Sequence, residues 1–426
     1  MTTNQKKAII ISLDETITEI TQLAETLGYT IEKTFIQHRT TPDVNYYIGS
    51  GKVDEITDYL KDTQDKIDLA IINGELKPSQ WFILEKKLGI NVYDRVRLIL
   101  AIFEEHAERR EALLQVKLAQ LQYERPYVRE LIHRAKAGEH PGLMAGGEYQ
   151  VDDYYEMIKR QSKKIREDLQ KIRENRELQR QTRSQSGFYS ISLAGYTNAG
   201  KSSLMNLLSG EQVKVEEKLF STLSTTTRTI NSKNKQQHLP ILLTDTVGFI
   251  ENLPAFIIDA FHSTLEEIEL ADVVVLVVDG SEARETVEKK LRVSINELRN
   301  IGVGAPIIIA LNKIDIIDKT TLNSLQEYLE DTGIIEDHTV VPISVKEQKY
   351  IEELLQTIYD LLPHMVKITF QLPLEEQSQR FISQLYDKTK VLHITYGTHI
   401  IVEVECNEKI KEKLIAAAHD INGTVL

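Results

Sequence analysis

The chain has 426 residues, 41% apolar and 27% charged, with a net charge of −13 and one cysteine, Cys406. That length calls for about two to four globular units, and a lone cysteine excludes an internal disulfide framework and a cysteine-based metal centre. No apolar run reaches the roughly 18–20 residues of a membrane span, and the apolar stretch near the N-terminus meets Asp14 and Glu15 too soon to be a leader, so a cytoplasmic protein without membrane contact is expected.

Residues 1–100 alternate strand and helix signals. Lys7–Leu13 reads as an apolar strand, Thr16–Leu27 as a helix closed by Gly28, and Thr30–Gln37 as a second strand. Lys52–Leu60 reads as a helix, Leu69–Asn73 as a strand, and Pro78–Leu88 as a helix stopped by Gly89, which together predict a small α/β domain. Gly49-Ser50-Gly51-Lys52 reads as a tight turn capping a helix. It lacks a leading glycine at Tyr46 and carries Val53 where a metal-binding hydroxyl would stand.

From Leu98 the pattern is long and helical, with a stripe of Leu100, Phe103, Ala107, Leu114, Leu118 and Leu121. A second stripe follows at Ile158, Ile165, Leu169 and Ile172. The seven-residue repeat predicts an antiparallel helical hairpin over residues 101–187, broken at the glycine-rich stretch around Pro141. The polar segment Thr182–Gly187 reads as a linker.

Residues 188–363 alternate near-continuous Val/Ile/Leu strands with helices, the mark of a mostly parallel sheet covered on both faces. The strands are predicted at Tyr189–Ala194, Ile241–Asp245, Val273–Asp279, Ile307–Asn312 and Val340–Ile343. Residues 364–426 read β-α-β-β-α, a small α+β domain: Val366–Gln371, Gln377–Tyr386, Lys390–Tyr396, Ile400–Glu405 and Glu408–Ile421. Net charge is −3, +2, −11 and −1 across the four blocks, so the acidity sits in the third. Residues 159–183 carry ten basic and four acidic side chains. Such local asymmetry suits an RNA partner better than the global charge suggests.

The sharpest chemical signal is Gly195-Tyr196-Thr197-Asn198-Ala199-Gly200-Lys201-Ser202, a strand-to-helix G-x-x-x-x-G-K-[ST] loop followed by Ser203. Its backbone amides and the helix N-terminus are suited to phosphates. Lys201 would bridge the β- and γ-phosphates, and the Ser202 hydroxyl would ligate Mg2+. Asp245-Thr-Val-Gly248 ends a second apolar strand, which puts a carboxylate near the metal and a glycine under the γ-phosphate. Asn312-Lys313-Ile-Asp315 ends a third strand. The Asp315 carboxylate can accept from guanine N1–H and the 2-amino group, neither of which adenine offers. Lys313 can lay its stem along the base, and Ser344-Val345-Lys346 can support the base loop. These sites all lie at the C-terminal ends of strands, where open α/β sheets bind ligands, and GTP binding is the expectation.

Between these motifs, Leu219–Arg228 holds several threonines, of which Thr226 is the expected third metal ligand, with Thr222 and Thr225 among its rivals. The metal set is thus Ser202, Thr226 and Asp245, and the catalytic set Lys201, Thr226 and Gly248. Where many small GTPases place a water-orienting glutamine, position 249 is Phe249. Phe249 and Ile250 form an apolar pair expected to press on a neighbouring domain when GTP orders the segment. Asn198 is a candidate ligand for a monovalent cation such as K+ beside the phosphates, or a stabiliser of the loop.

The segments GYTNAGKSSLMN, LFSTLSTTTR, DTVGFIENLP and Phe261–Glu267 together resemble the HflX-type GTPases. So do Thr41–Ile56, Gly74–Gly89 and Leu113–Tyr123, and the likeness covers nearly residues 1–363. The segment from Gly142 to Tyr149 resembles archaeal rather than bacterial members, and Ser224-Thr225 stands where Asp-Pro is usual. The resemblance implies an α/β N-terminal domain (1–100), a helical hairpin (101–187), a G domain (188–363) that hydrolyses GTP to GDP with Mg2+, and GTP-favoured binding to the large ribosomal subunit that splits or rescues stalled ribosomes. The hairpin tip, with Arg134 and Lys136 among small residues, and the basic 159–183 helix are the expected contacts to ribosomal RNA. A monomer is expected. The alternative is a signalling GTPase whose hairpin docks a protein and avoids RNA.

Overall fold

The computed structural model describes residues 6–63, 66–136, 147–185, 188–210, 226–230, 241–246, 248–249, 254, 256–257, 262–363 and 365–426. They fall into two compact units, the first carrying the chain as far as Lys171. The hairpin tip around Pro141, Thr222, Thr225 and Ile250 lie outside the described residues.

The first unit opens with β1 (Lys6–Ser12), α1 (Thr18–Thr26), β2 (Tyr29–Ile36), α2 (Ser50–Asp62), β3 (Leu69–Ile72), α3 (Pro78–Leu88), β4 (Asn91–Asp94) and α4 (Arg95–His106). The strands form an all-parallel sheet in the order β2-β1-β3-β4. Ala8–Ile11 and Ala70–Ile72 are wholly buried, as expected for strands covered on both faces. Gly49-Ser50-Gly51-Lys52 opens α2: the Gly49 amide donates to Gln37 Oε1 at 2.7 Å, and Lys52 is held by Glu55 at 2.9 Å.

In the sheet of this unit and the helices after it, two features depart from the sequence reading. Asn91–Asp94 is a strand, although four residues carry too little periodicity to register. The helix expected from Leu98 is two helices, since α4 ends at His106 and α5 (Arg110–Lys136) follows after a break at extended Ala107. Leu98, Ile99, Leu100, Ile102 and Phe103 are all buried, so α4 is a core helix of the sheet layer, and it crosses residue 100 without interruption.

Antiparallel to α5 runs α6 (Gly147–Gln185). Leu118, Leu121 and Val128 pack with Ile158 and Ile165, and the Tyr154 phenol donates to Glu124 at 3.1 Å. The helix continues through Gln185, so the segment read as a linker from Thr182 is helical for its first four residues. Polarity alone breaks no helix, and neither glycine nor proline occurs before Gly187.

The second unit contains β5 (Tyr189–Ala194), α7 (Lys201–Ser209), β6 (Thr226–Thr229), β7 (Ile241–Asp245), α8 (His262–Glu269), β8 (Val273–Asp279), α9 (Arg284–Ile301), β9 (Ile307–Asn312), α10 (Lys319–Asp331), β10 (Thr339–Pro342) and α11 (Ile351–Leu361). The six strands are ordered β10-β9-β8-β5-β7-β6, all parallel except the edge strand β6. A core lies on each face. The chain then forms β11 (Met365–Leu372), α12 (Glu376–Lys388), β12 (Lys390–Tyr396), β13 (Ile400–Asn407), α13 (Glu408–His419) and β14 (Thr424–Val425), with an antiparallel sheet ordered β12-β13-β11-β14.

One buried carboxylate ties the first sheet to the hairpin. Asp94 caps α4 by accepting from the Arg97 amide at 2.8 Å, and it accepts from the Leu76 amide at 3.0 Å and from the Tyr123 phenol. Burial raises its pKa despite these donors. Beside it the Tyr127 phenol donates to Tyr123 at 2.7 Å, and its ring meets Trp81 edge-on. Asp94→Ala removes a cap and strands two buried donors, and is expected to cost about 3 kcal/mol of stability. Urea unfolding measures this, and a loss under about 1 kcal/mol would show that the network is not a clamp.

Candidate functional site

In the second unit the chain leaves β5 for β7 on one side and β8 on the other, and that reversal opens a crevice at the strands' C-terminal ends. Gly195 sits at φ +135°, and a Cβ there would lie 2.1 Å from the Val277 carbonyl, so no other residue fits. Gly200, at φ +99°, has a corresponding limit 2.3 Å from Asn312 Nδ2. That amide donates to the Ala199 carbonyl at 2.8 Å, while Asn312 Oδ1 accepts from the Val345 amide at 3.2 Å. Asn198 is exposed at φ +63°, and its side chain has no partner among the described residues.

Lys201 is buried at the first turn of α7 and donates to the Gly195 and Tyr196 carbonyls at 3.0 and 2.8 Å. Burial pulls its pKa down to about 8, against the opposing pull of Asp245. Ser202 Oγ donates to Asp245 Oδ2 at 2.7 Å, and Ser203 is half-buried on the same turn. Thr226, the first residue of β6, is the strand partner of Asp245. Hydroxyl, hydroxyl and carboxylate are hard oxygen donors that fit Mg2+, which takes few protein ligands when phosphate oxygens supply others. Among the described residues no group of three or more His, Cys, Asp or Glu side chains could hold a metal.

Sequence reasoning missed the supports of this corner. Arg228 donates to Asn206 Oδ1 at 2.7 Å and pins β6 to α7; Thr227 and Thr244 hydroxyls meet at 3.1 Å; Thr246 Oγ1 donates to the Leu193 carbonyl at 2.6 Å. The only signal was the polar run Thr225–Arg228 itself, which also fits a plain edge strand.

Gly248 packs so closely that a Cβ would lie 2.7 Å from Thr197 Cγ2 and 3.0 Å from Lys201 Nζ. Phe249 is only 6% exposed and packs in a core cluster of the G domain with Tyr196 and Ile268. Its backbone pairs with the phosphate loop, the Phe249 amide donating to Gly195 at 3.0 Å and the Thr197 amide to Phe249 at 3.3 Å. An apolar ring next to a largely apolar Tyr196 face gains more from burial than from exposure.

On the other side of the crevice, buried Ser344 donates to Asp315 Oδ1 at 2.6 Å. That bond, helped by the charges of Lys346 and Lys349, lowers the Asp315 pKa and keeps it an acceptor. Ser344 Oγ also accepts from the Glu347 amide at 3.0 Å, and Ser344 and Lys349 form a backbone bridge that closes the loop around Val345 and Lys346. Lys313 adopts φ +67°, and its ammonium reaches Asp279 Oδ2 at 2.6 Å. The crevice thus brings together a loop closed by two glycines, a corner of hydroxyl and carboxylate oxygens, and a carboxylate held as an acceptor.

The chain is similar to known proteins along most of its length. Three family models match in succession: GTP-binding GTPase N-terminal over residues 14–104, GTP-binding GTPase Middle Region over 106–183, and 50S ribosome-binding GTPase over 190–313. The chain is similar to the GTPase HflX of Methanocaldococcus jannaschii, with 40% identity over 91% of this chain and 92% of the relative. It is similar to those of Thermofilum pendens (37%; 94% and 92%) and Caldanaerobacter subterraneus subsp. tengcongensis (33%; 96% and 93%). Among solved structures it is similar to the complex of SsGBP and GDP, 30% identical, covering 84% of this chain and 98% of that one with a TM-score of 0.52.

The depressed Lys201 pKa has a consequence for ligand binding. Phosphate favours the ammonium, which the free protein loses as pH rises through about 8, so affinity falls with rising pH. Between pH 7 and 8.5 the Kd for GDP is expected to rise about fourfold. Titration calorimetry across that range checks it, and a flat profile would mean that Lys201 stays charged across it in the free protein or does not meet the phosphates.

Proposed function

The chain belongs to the HflX family of GTPases, and on that premise we propose that it is a GTP-gated switch that associates with the large ribosomal subunit through its basic hairpin helix. GTP hydrolase activity and guanine-nucleotide binding follow from the family and the G domain. The ribosomal partner is supported by the description of the family model over residues 190–313 and by the charge on α6.

In this reading the loop amides of 195–200 and the N-terminus of α7 bind the phosphates, Lys201 turns from the loop carbonyls to the β- and γ-phosphate oxygens, and Asp315 reads guanine. Ser202, Thr226 and Asp245 would hold Mg2+, which when bound would neutralise charge on the phosphates. Gly248, with no side chain to keep it off Lys201, can approach the γ-phosphate. The Phe249 side chain can neither donate nor accept and takes no part in aligning water. That places hydrolysis under the control of backbone, another domain or a partner, and slow intrinsic turnover follows.

Asn198 fits a role beside the phosphates as a ligand for K+. Asparagine tolerates the left-handed backbone, and its exposed amide is unpartnered among the described residues. GTP turnover is expected to be faster in potassium than in sodium chloride at equal ionic strength, and Asn198→Ala to abolish the difference. Equal rates in the two salts for the wild-type chain would leave Asn198 a loop former only.

The observation that carries RNA binding is the exposed basic face of α6. Lys163, Lys164 and Arg166 all face solvent; Lys163 meets Glu167 only at 4.0 Å, and Lys164 and Arg166 have no acidic partner among the described residues. Surface pairs at such a distance neutralise little. Co-sedimentation with large subunits is expected with GTP or a non-hydrolysable analogue and to weaken with GDP. Charge reversal at Lys163, Lys164 and Arg166 should reduce it, flattening the log–log salt slope by about 0.7–0.9 per lost phosphate contact. A triple variant that sediments like wild type would favour a protein partner instead.

A further inference from the structure

We propose that Asp279 is a positioning residue for guanine binding: it grips the Lys313 ammonium and so stretches the lysine stem into a fixed wall of the base pocket. The proposal rests on the nucleotide site described above and deepens it.

Asp279 is the last residue of β8 and the strand partner of Asn312, which precedes Lys313. Its two oxygens are used differently. Oδ1 accepts from the amide and hydroxyl of Ser281 at 3.0 and 2.5 Å, which fixes the plane of the carboxylate. Oδ2 then faces Lys313 Nζ at 2.6 Å, and the two side chains are only 14% and 27% exposed. Gly280 eases the approach, since a Cβ there would crowd the Asn312 carbonyl at 3.2 Å, and its amide donates to that carbonyl at 2.8 Å.

Strand order gives the stem its direction. β8 lies between β9 and β5, so a lysine rooted after β9 and held at the end of β8 runs from the base-reading side toward the phosphate loop. Asp315 approaches the edge of a guanine, whereas this line of methylenes offers an apolar surface for a purine face. A free lysine stem would lose much rotamer freedom on covering the base, and the carboxylate removes that cost before the ligand arrives. The left-handed Lys313 backbone aims the stem, and Asp279 fixes its far end.

The wall touches any purine alike, so it acts on affinity and leaves base choice to Asp315. Asp279→Asn is expected to weaken GDP and IDP binding by about tenfold each, mostly through faster dissociation, with their ratio unchanged. Asp279→Glu should recover most of the loss. Lys313→Met keeps an apolar stem that needs no anchor, so adding Asp279→Asn to it should cost no more than about twofold. Equilibrium binding and dissociation of a fluorescent GDP on the full chain read all four variants. Unchanged affinity in Asp279→Asn, a changed GDP/IDP ratio, or simple additivity with Lys313→Met would overturn the proposal. A wild-type chain that does not retain GDP would instead overturn the nucleotide reading beneath it.

Discussion

The site is held in register by one side-chain amide. Asn312 donates to the carbonyl of Ala199 in the phosphate loop and accepts from the amide of Val345 in the base loop. It is nearly fully buried. Only a side chain with a donor on one arm and an acceptor on the other does both: aspartate cannot donate to a carbonyl, and an apolar residue of the same shape would strand two buried backbone groups. Its nitrogen occupies the space that a side chain at Gly200 would take, so the glycine and the asparagine require each other. The bridge ties the loop after β5 to the loop after β10, across the ends of β8 and β9.

Around that bridge the chain departs from ordinary backbone geometry. Asn198, Lys313, Gln348 and Tyr350 are non-glycine residues with positive φ, and all lie in loops at the C-terminal ends of the sheet. Each such conformation costs free energy that local contacts must offset. The offset comes from strands beneath: Val273–Val277 and Ile308–Leu311 are wholly buried, so loop ends are fixed by a sheet that does not yield. Lys201 belongs to the same logic, since a buried ammonium resting on two carbonyls is less well solvated than in water.

Much of this was legible in sequence because the signals were redundant. β5, β7, β8 and β9 are rich in Val, Ile and Leu and fall where the pattern puts them, to the residue. The elements that escaped are those where one local signal had to suffice. β4 has four residues, β14 two, and β6 is a polar edge strand fixed by Arg228 and by its pairing with β7. The break between α4 and α5 contains no proline or glycine and interrupts a stripe that is otherwise continuous. In the site, Gly195 through Ser202 carry their chemistry in their spacing. Asp279 does not: an acid at the end of an apolar strand is unremarkable until β9 brings Lys313 beside it.

For Phe249, nothing in sequence distinguishes an apolar side chain aimed outward from one aimed inward. Its inward placement changes how a nucleotide signal can travel. Both its amide and its carbonyl pair with the phosphate loop, so any movement of Gly248 toward a γ-phosphate must alter bonds shared with Gly195 and Thr197. The ring lies in one core cluster with Ile268 of α8, and Ser192 on β5 donates to the Glu267 carbonyl of the same helix at 2.6 Å. Next in that helix, Glu266 is buried and meets Arg173 at 2.6 Å, on the part of α6 that belongs to this unit. Packed cores pass on displacements because their side chains have discrete alternatives rather than slack. Contacts between neighbours thus run without a gap from the phosphate loop through Phe249 and α8 to Arg173.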